Sequence, residues 1–140
     1  MNKEEVERLY KELILPESKE PYHFEKQDEQ HVMAYNPVCG DKYRIYTEKE
    51  PMHFHGMGCA LSKASASLLM RQLEQMPAVE QKEQIKHFID AVQSGQADDQ
   101  LDKSLAVLVA LKNYDGREDC ILLAWKAMLE YLENPSKPPL

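Results

Sequence analysis

The chain has 140 residues, with 17 Lys and Arg against 24 Asp and Glu, so its net charge at pH 7 is −7. This acidic balance disfavours binding to nucleic acid or to an anionic membrane surface, because both present negative phosphates. The chain has no apolar run long enough to cross a bilayer, its acidic N-terminus does not resemble a signal peptide, and its three cysteines are too widely spaced for a disulfide framework. We therefore expect one cytoplasmic, monomeric domain over residues 1–140, with a frayed tail at 135–140.

Hydrophobic periodicity divides the chain into an early helix, three short strands and a helical second half. Apolar spacings of three and four residues indicate the helices, and alternation of apolar and polar side chains indicates the strands. The predicted elements are a helix at 3–14, a loop at 16–30 with a short edge strand at 22–25, strands at 31–35, 42–47 and 52–55, and helices at 61–75, 79–94, 105–111 and 117–132. Pro16 is expected to end the first helix.

The second and third predicted strands are expected to form a hairpin whose ends meet. One end carries Cys39 and Asp41, and the other runs into Cys59. Residues i and i+2 of an extended segment point the same way, so Cys39 and Asp41 can reach one ion. Gly56 and Gly58 permit a tight turn that presents Cys59 at a helix N-terminus, where free N–H groups and the helix dipole favour a thiolate. An ordinary buried cysteine is the alternative for this stretch alone.

The third cysteine, Cys120, lies in the first turn of the last predicted helix. Three thiolates and one carboxylate make four ligands, a set that suits tetrahedral zinc. The same thiolates also suit an iron–sulfur cluster. Spacing alone leaves three inert cysteines as a further alternative, because the chain has no Cys-X-X-Cys pair.

Histidines and serines offer rival sites. His53 and His55 lie on one face of a predicted strand, where they could chelate a metal with a third ligand, but a solvent-facing strand edge is favoured because no acidic cluster adjoins them. Ser62, Ser65 and Ser67 lack the Gly-X-Ser-X-Gly context of a serine nucleophile and are expected on a helix surface. No phosphate-binding loop or dinucleotide fingerprint is present in the sequence.

Three segments of the sequence resemble the NifU N-terminal/IscU family of iron–sulfur cluster assembly proteins. They are Asn36-Pro37-Val38-Cys39-Gly40-Asp41, Gly56-Met57-Gly58-Cys59-Ala60-Leu61-Ser62 with Ala64-Ser65-Ala66-Ser67, and Arg117-Glu118-Asp119-Cys120 with Leu123-Ala124-Trp125-Lys126-Ala127. The order and context of three cysteines and one aspartate make the match specific, and it spans most of the chain. The long interval between Cys59 and Cys120, and the absence of a Leu-Pro-Pro-Val-Lys motif, resemble the SufU branch of the family.

The resemblance implies an α+β fold in which a small antiparallel β-sheet packs against a helical layer. It implies zinc held by Cys39, Asp41, Cys59 and Cys120, and a cysteine desulfurase partner that delivers persulfide sulfur to Cys39. Arg117 matches a family arginine near the site that would dock the partner or steady the thiolates. Two alternatives remain within the family: a scaffold that assembles a [2Fe–2S] cluster on the three cysteines and transfers it to apo iron–sulfur proteins, and a diverged relative with structural zinc.

Three features depart from the pattern of the family. The hairpin between Cys39 and Cys59 is shorter than usual, residues 15–18 replace an Asn-Pro-Arg-Asn segment, and Asp119 stands where relatives generally carry Lys or His. A carboxylate at Asp119 places negative charge beside the thiolates. That charge disfavours an anionic cluster and offers zinc a competing oxygen ligand.

Overall fold

The fold was obtained as a computed structural model that describes residues 1–135, so most of the predicted frayed tail lies outside the described residues. In chain order the elements are α1 (Lys3–Leu9), a π-helical turn (Tyr10–Ile14), α2 (Leu15–Lys19), β1 (His31–Tyr35), β2 (Lys42–Tyr46), β3 (His53–Met57), α3 (Ala60–Gln75), α4 (Ala78–Ser94), α5 (Lys103–Asp115) and α6 (Glu118–Glu133). Within residues 1–135, none of the helices has both the length and the apolar character that crossing a membrane requires.

The three strands form one antiparallel sheet in the order β1-β2-β3. Its inward side chains include Ala34, Tyr43, Ile45 and Phe54, each at most 2% exposed. Helix α3 packs against β3 and α6 packs against β1, so the core lies between the sheet and the helices. This arrangement confirms the predicted α+β fold with a small antiparallel sheet against a helical layer.

The prediction that Pro16 ends the first helix is wrong. The helical segment continues through the π-helical turn into α2 and ends at Lys19. The N–H of Leu15 donates to the carbonyl oxygen of Tyr10, five residues back, and Pro16 then occupies the first turn of α2. A proline ring would clash with the carbonyl four residues earlier in a regular α-helix. The wider π turn relieves that clash.

The largest further differences from the predicted bounds lie in two segments. The edge strand expected at 22–25 is reduced to a single parallel bridge at Phe24. Helix α5 runs to Asp115 instead of ending with its apolar stretch. Its polar last turn is held by a tertiary contact, because Nδ2 of Asn113 donates to the carbonyl oxygen of Gly95 at 2.9 Å.

The serines of α3 are buried, contrary to the expectation of a surface position. Ser62, Ser65 and Ser67 are at most 2% exposed. Oγ of Ser65 donates to the carbonyl oxygen of Ile121 at 2.5 Å and accepts from Nε1 of Trp125 at 2.9 Å. The hydroxyl of Ser65 thus joins α3 to α6, the two helices that begin beside Cys59 and Cys120.

Replacing Ser65 with Ala is expected to lower the free energy of unfolding by about 1–3 kcal/mol, because the buried Nε1–H of Trp125 loses its acceptor. Urea denaturation measures this loss. A double-mutant cycle with Trp125→Phe isolates the hydrogen bond from the change in volume. Additivity of the two single changes within about 0.5 kcal/mol would contradict a stabilising bond.

Candidate metal centre

The candidate metal centre lies at one end of the sheet, where a hairpin turn and two helix N-termini meet. Cys39 lies in the turn between β1 and β2, and Asp41 directly precedes β2. Cys59 is the N-cap of α3, and Cys120 lies in the first turn of α6. The antiparallel pairing of β2 with β3 brings their ends together as predicted.

The turn that carries Cys39 is hydrogen-bonded within itself. The N–H of Gly40 donates to the carbonyl oxygen of Asn36 at 2.8 Å, and the N–H of Asn36 donates to that of Asp41 at 2.9 Å. The N–H of Val38 donates to Oδ1 of Asn36 at 3.0 Å. Cys39 itself is exposed. Hydrogen bonds within the turn therefore hold the Cys39 thiol at the solvent-exposed surface.

Three possible ligand atoms form a close group. Sγ of Cys39, a carboxylate oxygen of Asp41 and Sγ of Cys120 all lie within 4.8 Å of one another. Zinc with ligands about 2.0–2.3 Å away in a tetrahedral arrangement separates neighbouring ligand atoms by roughly 3.3–3.8 Å. Small side-chain rotations would bring the three atoms to that spacing. Their chemistry, two thiols and a carboxyl, fits the preferences of zinc.

Cys59 lies beside this group without joining it. Its Sγ is 3.6 Å from Oδ2 of Asp41, and its N–H donates to Oδ1 of Asp41 at 3.1 Å. Nη2 of Arg117 donates to Sγ of Cys59 at 2.9 Å and to Sγ of Cys120 at 3.7 Å. Sγ of Cys59 also accepts from the N–H of Ser62 at 3.4 Å. The structure thus brings three of the four predicted ligands together and turns the fourth toward a guanidinium.

A buried hydrogen-bond chain behind Cys59 was missed by the sequence analysis. Oγ of Ser62 donates to the carbonyl oxygen of Cys59 at 3.2 Å, and the hydroxyl of Tyr43 donates to Oγ of Ser62 at 2.7 Å. Burial raises the pKa of Tyr43, so this hydroxyl remains protonated. A Cβ at Gly58 would overlap the Tyr43 hydroxyl and lie 2.6 Å from Oγ of Ser62. Only glycine therefore fits at position 58 without displacing this chain.

Burial and the positive charge of Arg117 shift the pKa of the Cys120 thiol in opposite directions. Burial raises the pKa of the Cys120 thiol to about 11, although Arg117 beside it acts to lower it. Desolvation thus outweighs the favourable contact with Arg117 at Cys120. Partial burial acts to lower the pKa of the Arg117 guanidinium. The contacts of Arg117 with the thiols of Cys120 and Cys59 together act more strongly, so its pKa is raised. A bound metal ion would supply the positive charge that deprotonation of Cys120 requires.

In chelator-treated protein at about pH 8, iodoacetamide is expected to modify Cys39 at least about 10-fold faster than Cys120. Cys39 is exposed, whereas Cys120 is partly buried and its thiol pKa of about 11 keeps the thiolate fraction low. Timed digestion and mass spectrometry give both rates. Equal rates at the two positions would contradict the greater exposure of Cys39 and the raised pKa of the Cys120 thiol.

The other candidates from the sequence lie outside the close group. Nδ1 of His53 is 2.9 Å from a backbone carbonyl oxygen, and the ring of His55 packs against Phe24. Neither histidine belongs to a cluster of possible metal ligands within residues 1–135. Asp119 is exposed beside Cys120 and is likewise absent from that cluster.

Comparisons with known proteins find one family and several relatives that are similar to this chain. The NifU-like N terminal domain family matches residues 9–121, a span that includes all four candidate ligands. The Thermotoga maritima iron–sulfur cluster assembly scaffold protein IscU is 32% identical over 112 residues, which cover 74% of this chain and 76% of that protein. The Bacillus subtilis zinc-dependent sulfurtransferase SufU is 28% identical over 130 residues, or 88% of each chain.

A solved structure has the same fold. The N-terminal part of a nitrogen-fixing NifU-like protein from Brucella abortus superposes with a TM-score of 0.72 at 16% identity, covering 91% of this chain and 94% of that one. The family match covers most of the chain, and its span contains both the hairpin and the two helix N-termini of the candidate metal centre. The chain therefore belongs to the NifU-like N-terminal domain family.

Proposed function

We propose that the protein is a zinc-bound acceptor of persulfide sulfur in iron–sulfur cluster assembly, of the SufU type, and that it acts with a cysteine desulfurase. The observation that carries the proposal is the group of Cys39, Asp41 and Cys120, whose ligand atoms lie within 4.8 Å of one another while Cys39 stays exposed. Membership of the NifU-like family and similarity to a relative named as a zinc-dependent sulfurtransferase support it.

Cys39, Asp41, Cys59 and Cys120 are the residues that would hold zinc. Cys59 would complete the set, because its Sγ, 2.9 Å from Nη2 of Arg117, also lies 3.6 Å from Oδ2 of Asp41. Zinc held by these residues would favour deprotonated thiols and would limit their reactivity. Asp41 is 4% exposed, so its carboxylate is held in place from the protein side.

Sulfur transfer uses the exposed thiol of Cys39. Its thiolate attacks the outer sulfur of a persulfide on the desulfurase, and a new S–S bond forms at Cys39. The S–S bond of the donor breaks, and the desulfurase thiolate leaves. One S–S bond replaces another, so the step needs no external oxidant or reductant. Arg117 lies against Cys59 and Cys120, where its charge steadies neighbouring thiolates while Cys39 reacts.

Zinc analysis combined with titration of the matching cysteine desulfurase tests this function. We expect about one zinc per chain, no visible absorption band, and alanine release that increases as the protein is added. Cys39→Ala should abolish the increase, whereas Val79→Ala, at an exposed position of α4 outside the metal centre, should retain it. If Cys39→Ala left the stimulation intact, zinc would have a structural role only.

The second candidate is a scaffold that assembles a [2Fe–2S] cluster and transfers it to apo iron–sulfur proteins. The relative with 32% identity favours it, because that protein is named as a scaffold. Cys39, Cys59 and Cys120 would provide the thiolates, while the charge of Asp119 beside them opposes an anionic cluster. Anaerobic purification separates the two candidates. A brown, labile chromophore supports the scaffold, and colourless protein with stoichiometric zinc supports the sulfur acceptor.

A further inference from the structure

The sheet has a basic outer face although the protein is acidic. The outer face comprises the strand side chains that alternate with the buried ones and point away from the helices. It carries Lys42, Arg44, His31, His53 and His55, and its other positions are Met or Tyr, of which Tyr46 is buried at 2% exposure. No Asp or Glu lies on it, in a chain that has 24 acidic residues and a net charge of −7. The outer face is therefore positively charged, opposite in sign to the net charge of the whole protein.

The two fixed cations of the outer face have no carboxylate partner among residues 1–135. Nζ of Lys42 lies 5.8 Å from the ring centroid of Tyr35, and the salt bridges of the described residues involve neither Lys42 nor Arg44. Nε of Arg44 is buried without a hydrogen-bond partner. Buried polar atoms in native proteins are normally satisfied. The guanidinium of Arg44 is therefore incompletely satisfied, and because Nε is enclosed, a carboxylate from another molecule would approach it at its end nitrogens.

Exposed apolar side chains surround Lys42 and adjoin the candidate metal centre. Tyr35 and Met57 are the cross-strand neighbours of Lys42, and their residues are 54% and 78% exposed. Val38, next to Cys39 in the turn, is 94% exposed. Tyr and Met are enriched in protein–protein interfaces. Nucleic acid would require many phosphate contacts and meets a net charge of −7, so a protein surface fits better.

We propose that the outer face docks the partner protein that exchanges sulfur at the metal centre, through a segment of the partner that carries carboxylates between apolar side chains. The inference rests on the proposed function, because Cys39 at the end of this face links docking to sulfur transfer. One carboxylate pairs with the guanidinium of Arg44 and another with Lys42. Apolar side chains of the same segment cover Tyr35 and Met57.

Charge reversal on the outer face tests this surface. The cysteine desulfurase of the same organism is titrated with zinc-loaded wild-type protein, with Lys42→Glu/Arg44→Glu, and with the control Lys82→Glu/Lys103→Glu, which makes the same charge change on α4 and α5. Calorimetry in about 100 mM NaCl should show Kd at least about 10-fold higher for the face variant and within twofold of wild type for the control. The wild-type Kd should also rise with added salt.

A second variant guards against loss of folding, because Arg44 is partly buried. Lys42→Glu alone, at an exposed position, should raise Kd about threefold and leave the zinc content unchanged. If wild type binds the desulfurase and both variants match it within twofold, the docking surface is overturned and the proposed function stands. If wild type does not bind, both are overturned. Displacement of the desulfurase by a single-stranded oligonucleotide would reveal a general polyanion surface and overturn the acidic protein partner.

Discussion

Replacing Cys120 with Ala is expected to raise the zinc dissociation constant by more than about 100-fold. Losing a group that only orients a metal ligand already costs about 10–100-fold, so losing a ligand costs more. Sγ of Cys120 belongs to the close group with Cys39 and Asp41, and it lies on the rigid first turn of α6. Competition with a chromophoric chelator measures the dissociation constant. Unchanged zinc affinity in Cys120→Ala would contradict the proposed metal centre.

Cys59→Ala tests whether Cys59 is a fourth zinc ligand, because Cys59 lies beside the close group rather than within it. We expect a comparable loss of affinity, since Sγ of Cys59 is already 3.6 Å from Oδ2 of Asp41 and has only to leave Arg117. A loss below about 10-fold, alongside full loss in Cys120→Ala, would reduce the ligand set to Cys39, Asp41 and Cys120. Val38→Ala controls for changes in an exposed residue near the centre.

Gly56→Ala is expected to lower the free energy of unfolding by about 3–5 kcal/mol. Gly56 pairs with Tyr43 across the hairpin and has φ 156°, a conformation that other residues rarely adopt. A Cβ there would overlap the carbonyl oxygen of Lys42 and lie 2.7 Å from Cα of Tyr43. Both are backbone atoms, so no rotamer change relieves the clash. The strands must separate at the end that carries Asp41.

Gly40→Ala is the matched control, because it changes a glycine with positive φ but introduces no steric clash. Gly40 also has positive φ, at 80°, but a Cβ there would meet no atom within 4 Å. Only the left-handed backbone conformation is penalised, so a loss of about 1–2 kcal/mol is expected. Urea denaturation of both variants separates conformational strain from the close approach of two strands. A loss in Gly56→Ala no larger than in Gly40→Ala would rule out the steric argument.

Strong periodicity made much of the fold predictable from sequence. Helices α3 and α4 lie within one residue of their expected bounds, because their buried stripes repeat over several turns. Periodicity failed at Pro16, since a π turn changes the hydrogen bonding by one residue while leaving helical apolar spacing nearly intact. Periodicity also failed for the serines of α3, because it treats serine as a polar, surface residue. It cannot reveal that the hydroxyl of Ser65 is satisfied by a carbonyl oxygen of another helix.

The part of the candidate metal centre whose positions are set by strand pairing was predictable from the sequence. Antiparallel pairing alone places Asp41 beside Cys59, and the contact at 3.1 Å follows from that geometry. The resemblance implied that Arg117 lies near the site, but its contact with Cys59 depends on how α6 packs on α3. The bond from Tyr43 to Ser62 joins a strand to a helix, and no local sequence pattern signals it.

The turn at Cys39 is held differently from the two helix N-termini of the candidate metal centre. Cys59 and Cys120 begin helices that are rooted in the interior, whereas Cys39 depends only on a short loop closed on Asn36. Under the proposed function, Cys39 would accept and release sulfur on this loop, while the hydrogen bonds and core contacts of the two helices would not need to change.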